Sequence, residues 1–228
     1  MLTTAFILAA FLIGSIPFGL LVARAKGVDI RKVGSGNIGA TNVGRALGRK
    51  WFIVVFLLDF LKGCGPVLGA GWYLGTLGRM AVEPADAARW LGVAVAAVLG
   101  HVFSPWLKFK GGKGVATGAG VMMGVFPALT IPAMGAFVVF LLSLRLGRYM
   151  SLASMCAGLS LPAFVAAWFH LAHRGVSLNT ERGVEVRHMA AFLAFALLLG
   201  VMIVWTHRAN IGRLRAGTEP RWVKKQGE

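Results

Sequence analysis

Residues 114–142 read GVATGAGVMMGVFPALTIPAMGAFVVFLL, an uncharged run of 29 residues. A single helix needs about 20 residues to cross a hydrocarbon core about 30 Å thick. The run is too long for one comfortable span, and Pro127 and Pro132 stand near its middle. Proline removes a backbone donor and drives the residue before it out of helical geometry, so FPALTIP predicts a turn that folds the run into a hairpin of two short helices. Gly114, Gly118, Gly120 and Gly124 let these helices approach their neighbours closely.

How this run divides fixes the topology. The other apolar runs lie at about 2–22, 51–75, 90–107, 151–172 and 188–206. With the basic loop 23–50 inside, six spans would leave Arg145, Arg148 and the tail cations Arg208, Arg213, Arg215, Arg221, Lys224 and Lys225 outside, against the positive-inside rule. Seven spans gather all of these on the inner side, with Arg24, Lys26, Arg31, Lys32, Arg45, Arg49, Lys50, Lys108, Lys110 and Lys113. The outer side keeps Arg79 and Arg89 with Glu83 and Asp86, and Arg174, Arg182 and Arg187 with Glu181 and Glu185. The expected fold is therefore all-α: a polytopic membrane protein of seven transmembrane helices including a short helical hairpin, N-terminus outside and C-terminus cytoplasmic.

Composition points the same way. A mean hydropathy of +0.73, with 57% hydrophobic and 14% charged residues, excludes an ordinary soluble domain. Stretches between apolar runs are shorter than about 30 residues, below the roughly 50 an independent domain needs, so residues 1–228 read as one integral-membrane domain. The net charge of +16 then reports orientation and attraction to membrane lipids, not nucleic acid. Cys64 and Cys156 lie inside apolar runs and suggest neither a disulfide framework nor a thiolate metal site. The first run lacks the basic n-region of a signal peptide and reads as a retained helix. Trp51, Trp90, Trp106, Trp168 and Trp205 read as interfacial anchors.

Polar chemistry gathers on the inner side. The loop DIRKVGSGNIGATNVGRALGRK, 29–50, is dense in glycine, hydroxyl, amide and guanidinium groups. Ser35, Asn37 and Asn42 can donate neutral hydrogen bonds, Gly39 allows close backbone approach, and Arg45 can hold a phosphate through two bonds. The segment GHVFSPWLKFKGGKGVAT, 100–117, adds His101, a turn of Gly111 and Gly112 whose N–H groups can face an anion, and the mobile cation Lys113. Tyr149, Ser151 and Ser154 follow the fifth span, and His207, Arg208, Asn210 and Arg213 follow the last. Within the second span, Asp59 and Lys62 share a helix face at i and i+3. Burying either alone at mid-membrane costs about 2.5–3.5 kcal/mol, so they are expected to pair or to face a polar pocket.

Several chemistries are excluded. GSGNIG matches the dinucleotide fingerprint in letters, but a membrane helix precedes it where a strand is required. GGKGVAT lacks the Ser or Thr that follows lysine in a P-loop, so no nucleotide partner is expected. No metal site is apparent, because the histidines are dispersed, and no cofactor is expected. Nor is there a nucleophilic triad, since Asp59 reads as poorly placed to orient a histidine of the inner loops. The chemistry should rest on positioning and charge stabilisation.

Taken together, GSIPFG (14–19), GSGNIGATNVGRALG (34–48), DFLKG (59–63), GHVFSPWLKFKGGKGVATGAG (100–120), RYMSLAS (148–154) and HRANIGRLRAGTE (207–219) resemble the bacterial membrane-bound acyl-phosphate:glycerol-3-phosphate acyltransferase family. The resemblance runs in order along nearly the whole chain. It implies transfer of a fatty acyl group from acyl phosphate to the 1-hydroxyl of glycerol 3-phosphate, giving lysophosphatidate and phosphate, the first step of bacterial phospholipid synthesis. It also implies a seven-helix inner-membrane enzyme with its site facing the cytoplasm and no protein nucleophile. Ser35, Asn37, Arg45 and Lys113 look like anion ligands in this family's motifs, with His101, Ser151, His207 and Asn210 around them as catalytic candidates. Backbone N–H groups of the glycine turns would stabilise the oxyanion. The His-x4-Asp motif of acyl-CoA-dependent enzymes is missing, since Trp106 stands five positions after His101. The outer segment 173–187 looks long for the family and has no function legible in its residues. The competing reading is a transporter of an organic phosphate. It would place its site at mid-membrane between repeats, whereas here no repeat is seen and the motifs gather at one face.

Overall fold

The computed structural model describes residues 2–175 and 184–222, which form helices, short 3-10 turns and connecting loops. Helices α1 (Leu2–Ser15) and α2 (Phe18–Ala25) make one broken apolar segment, and the inner loop carries the unforeseen helix α3 (Ala40–Leu47). Then follow α4 (Arg49–Tyr73), α5 (Pro84–Val102), α6 (Val115–Gly124), α7 (Thr130–Gly147), α8 (Met150–His173), α9 (Val186–Thr206) and α10 (Arg208–Arg215). Among the described residues, six segments are long and apolar enough to cross a membrane: 2–25, 49–73, 84–107, 130–147, 150–173 and 186–206. Helix α6 is apolar but has 10 residues, about 15 Å at 1.5 Å per residue, half a hydrocarbon core. Glu181, Arg182, Lys224 and Lys225 lie outside the described residues.

The run 114–142 does break, at Pro127 and not at Pro132, and its two arms are unequal and part company. Pro132 stands in the first turn of α7, where no intrahelical N–H bond is lost, so α7 continues through it for 18 residues. Helix α6 packs chiefly on α4 and α7 on α8. Backbone proximity explains the first pairing: a Cβ on Gly120 would stand 2.0 Å from the Phe60 carbonyl oxygen, and one on Gly63 would stand 2.5 Å from that of Thr117. Gly14 and Gly100 do the same between α1 and α5, where a Cβ on either would meet a carbonyl of the other helix at 2.2 Å. Lipid tails are as apolar as the helices, so such close packing supplies the association energy that water would otherwise drive. Gly118 is different, because a Cβ there would meet Leu199 at an ordinary 3.5 Å.

The break at Ile16–Pro17 exposes the Ser15 and Ile16 carbonyls at the end of α1, and side chains from other segments bond to them. Lys62 Nζ donates to the Ile16 oxygen at 2.7 Å and also lies 2.7 Å from Asp59 Oδ1. Ser104 Oγ donates to the Ser15 oxygen at 2.7 Å, and the Trp106 indole donates to Ser15 Oγ at 2.8 Å. The expected Asp59–Lys62 pairing is thus present, with a third partner in the broken helix. Trp90 is a correction: it is fully buried, donating to the Val67 oxygen at 2.9 Å, because Gly71 has no side chain to keep the indole away. Where α5 and α9 begin, Arg187 bridges Glu83 at 3.5 Å and Glu185 at 3.0 Å, joining the segments that precede these two helices.

Overpacking a tight core typically costs about 1–3 kcal/mol, so Gly120→Ala should lower the thermal unfolding midpoint in detergent by several degrees. Gly65→Ala, whose Cβ meets nothing within 4 Å, should leave it unchanged or slightly higher.

Candidate active site

A cavity of about 380 Å³ opens at the end of the bundle that holds the loops 26–39 and 103–114. Its lining comes repeatedly from helix beginnings: Gly39 to Asn42 from the start of α3, Gly114 to Ala116 from α6, Met150 and Ser151 from α8, and His207 and Asn210 from α10. The first N–H groups of a helix have no partner inside it, and each N-terminus carries about half a positive charge. Four such termini bordering one space favour an anion there. Gly114 makes one of them possible, since its φ of +77° starts α6 from a backbone conformation that side chains disfavour.

Ser35, Asn37, Arg45, Lys113, His101, Ser151, His207 and Asn210 all line this cavity. Asn37 Oδ1 accepts the Gly39 N–H at 2.8 Å, while its Nδ2 makes no hydrogen bond among the described residues. Asn42 is a correction. It is buried, its amide donates to the Ile30, Val33 and Asn37 carbonyls at 2.9–3.2 Å, and its oxygen accepts the Ser35 N–H at 3.1 Å. With both ends spent, it shapes the loop that carries Ser35 and Asn37 and has no donor left for a ligand. The Gly39 N–H, held by Asn37, is equally unavailable.

Gly111 and Gly112 are a second correction. Their N–H groups donate to the Val102 and His101 carbonyls at 3.0 and 3.1 Å, so they cannot face an anion. Their glycine identity serves packing, because a Cβ on Gly112 would lie 2.1 Å from His101 Nε2. The unpartnered N–H groups stand a few residues further on, in the first turn of α6. His101 itself is 4% exposed, with Nδ1 at 3.1 Å from Thr117 Oγ1 and 3.7 Å from Asp59 Oδ1. Asp59 therefore does approach a histidine of this region, contrary to expectation, because α4 packs beside α5. Of the buried ion pair, Asp59 lines the cavity and Lys62 does not.

Sequence reasoning does not single out Glu219, yet it is the hub of the polar network. It accepts from Ser151 Oγ at 2.7 Å, Asn210 Nδ2 at 2.6 Å and Arg213 Nε at 2.8 Å. Asn210 in turn accepts from Lys113 Nζ. The segment around Glu219 crosses the cavity mouth as a strap, with the Pro220 oxygen accepting from Arg45 at 3.2 Å and the Trp222 ring 5.6 Å from that of Phe52. An acidic residue inside a tail otherwise rich in arginine was the available signal.

Burial, offset in part by Glu219 and reinforced by Arg213 and Arg45, pushes the Lys113 ammonium down to about 8. Burial first and then Lys113 push His207 down to about 4, so its ring is neutral at pH 7. Its Nδ1 lies 2.7 Å from the Ile203 oxygen, which assigns the proton to Nδ1 and the lone pair to Nε2. Burial raises the Glu219 carboxyl, but the bonds from Ser151, Asn210 and Arg213 outweigh it and hold the group below its ordinary value. Among the described residues, no group of three or more His, Cys, Asp or Glu converges as a metal site would require.

A second cavity, about 290 Å³ and almost wholly apolar, lies between α6 and α7. Phe56, Val115, Phe137, Phe140 and Ser154 line both cavities, so the polar space continues into a groove among the helices.

Fold and cavities define an integral-membrane protein whose polar site is built for anions and opens into a groove suited to an apolar chain. A family model, glycerol-3-phosphate acyltransferase, matches residues 4–217, and the chain belongs to this family. The glycerol-3-phosphate acyltransferase of Desulforamulus reducens is 43% identical over 218 residues, 95% of this chain and 94% of the relative. That of Thermus thermophilus is 44% identical over 221 residues, 94% of this chain and 92% of the relative. The crystal structure of PlsY (YgiH), an integral membrane glycerol 3-phosphate acyltransferase, in its glycerol 3-phosphate form superposes with a TM-score of 0.80 at 38% identity, covering 98% of this chain and 96% of that one. The lysophosphatidic acid form gives 0.77 at 38% identity over 97% and 95%.

If Lys113 carries the anion affinity, sulfate, whose charge is constant in this range, should bind several-fold more weakly as pH rises through about 8. The lysine loses its charge there, and a Lys113→Arg protein, cationic throughout, should lose this step in calorimetric titrations.

Proposed function

We propose that this chain transfers a fatty acyl group from acyl phosphate to the 1-hydroxyl of glycerol 3-phosphate, releasing phosphate and lysophosphatidate. The observation that carries the reading is the continuity of the anion-favouring cavity with the apolar groove, which gives one molecule's phosphate and acyl chain adjoining environments. Relatives called glycerol-3-phosphate acyltransferase that align over nearly their whole length, and a solved relative in glycerol 3-phosphate and lysophosphatidic acid forms, support it.

In this reading Arg45 and Lys113 hold the phosphate of glycerol 3-phosphate, with Ser35 and the free amide of Asn37 donating neutral bonds. The hydroxyl oxygen attacks the acyl carbon, the bond from that carbon to the phosphate oxygen breaks, and inorganic phosphate leaves. The hydroxyl proton passes to a phosphate oxygen, so no protein nucleophile takes part. Neutral His207, with a lone pair on Nε2, accepts a hydrogen bond from the hydroxyl and orients it. His101, Ser151 and Asn210 border the reacting groups, Ser151 and Asn210 through Glu219. The developing oxyanion is met by N–H groups in the first turn of α6, in place of the occupied ones at Gly111 and Gly112. The site gathers at one end of the bundle, which favours an enzyme over a carrier with a central site.

The same reading takes α6 as a seventh, short crossing segment, with the N-terminus outside, the C-terminus cytoplasmic and the site on the cytoplasmic face of a bacterial inner membrane. The distribution of Lys and Arg supports this orientation.

Purified protein given acyl phosphate and labelled glycerol 3-phosphate should yield lysophosphatidate and phosphate in equal amounts; absence of both products overturns the activity. Lys113→Ala and Arg45→Ala should each lose about 100-fold or more in kcat/KM, the scale of losing a charge-assisted contact to the reacting substrate, while the protein still inserts. A reporter fused after Glu228 should be active only in the cytoplasm.

A further inference from the structure

A third cavity, about 670 Å³, lies against the polar site and shares Ser35, Asn37, Lys113 and Asn210 with it. Its remaining walls differ in kind. Where the first cavity meets Phe52, Phe56, Phe137 and Phe140, this cleft is bounded by Arg31, Lys108, Lys110, Arg208 and Arg213 and has no carboxylate in its lining. Arg31 is neutralised by Asp29 at 2.8 Å, Arg213 by Glu219 at 2.8 Å, and Arg208 lies 4.6 Å over the Trp205 ring. Lys108 and Lys110 are exposed and have no acidic partner among the described residues.

Two approaches to one set of polar residues, one aromatic and one cationic, separate the reactants by their chemistry. Resting on the acyl-transfer reading above, we propose that the basic cleft is the aqueous door of the site. Small organic phosphate enters through it and inorganic phosphate leaves through it, while the acyl phosphate reaches the site from the aromatic side. Lys108 and Lys110 act as steering charges at the door. Charges lining a cleft raise local anion concentration and capture rate, an effect that salt removes. The Lys113–Asn210 hydrogen bond stands on the border between the two cavities. Its acceptor is a neutral amide, so an arriving phosphate displaces Asn210 from the ammonium and draws Lys113 with it. Lys113 belongs to both cavities for this reason.

The test uses two graded variants, Lys108→Gln with Lys110→Gln and Lys108→Glu with Lys110→Glu, in the full-length protein. Both positions are at the exposed surface, and Gln or Glu meets the same left-handed backbone at position 108 that Lys does. At about 0.02 M salt, where the Debye length exceeds 20 Å, kcat/KM for glycerol 3-phosphate should fall about threefold with Gln and about tenfold or more with Glu. The curves of native and variant proteins should converge by about 0.5 M salt. The KM for acyl phosphate and the kcat at saturating glycerol 3-phosphate should stay within about twofold of native, since steering acts on capture. Calorimetric Kd values for glycerol 3-phosphate over the same salts should follow the same order without any turnover. Equal salt slopes in native and variant proteins, by either readout, overturn the aqueous door. So does an equal loss for both substrates. An inactive native protein whose calorimetric Kd still follows the charge series would overturn the acyl-transfer reading and leave the cleft standing as an anion entrance.

Discussion

Four helix N-termini border one space, and the polar end of the bundle is arranged around that fact. Each brings partial positive charge and N–H groups without helical partners, and Arg45 and Lys113 add full charges. Such a convergence repels itself unless an anion sits within it. Glu219 meets that requirement, taking bonds from α8, α10 and, through Asn210, from Lys113. Burial of Lys113 beside Arg45 and Arg213 lowers the proton affinity of its amine, so its charge is held close to its limit at neutral pH. Like charge gathered in this way favours an incoming anion, which would relieve it.

The membrane part of the fold was largely legible because lipid enforces simple rules. Long apolar runs must be helical, and Pro127 marked the break between α6 and α7. The arms of that break could not be paired from sequence, because which helix accepts α6 depends on Gly63 and Gly120 removing two side chains from one contact. The place of Trp90 is hidden for a related reason: an indole on an apolar run reads as interfacial until a distant glycine, Gly71, opens a place for it in the core.

In the site, residue type was legible and donor availability was not. Ser35, Asn37, Arg45, Lys113 and Asn210 come together across segments far apart in sequence. Asn42, Gly39, Gly111 and Gly112 belong to the same motifs but spend their donors on the protein itself. A motif records both the groups that touch a ligand and those that hold them, and only the three-dimensional arrangement of partners separates the two. Glu219 shows the converse, since a carboxylate looks out of place among anion ligands until their mutual repulsion is considered.

The strap that carries Glu219 follows the last long apolar helix, so it leaves the ribosome after every other part of the cavity has been made. Insertion of the helices therefore precedes completion of the site. Until residues 219–222 arrive, Ser151, Asn210 and Arg213 lack their shared acceptor and Arg45 lacks the Pro220 carbonyl. In chain order the strap is thus the last part of this cavity to be made, and the electropositive pocket lacks its internal counter-charge until Glu219 is in place.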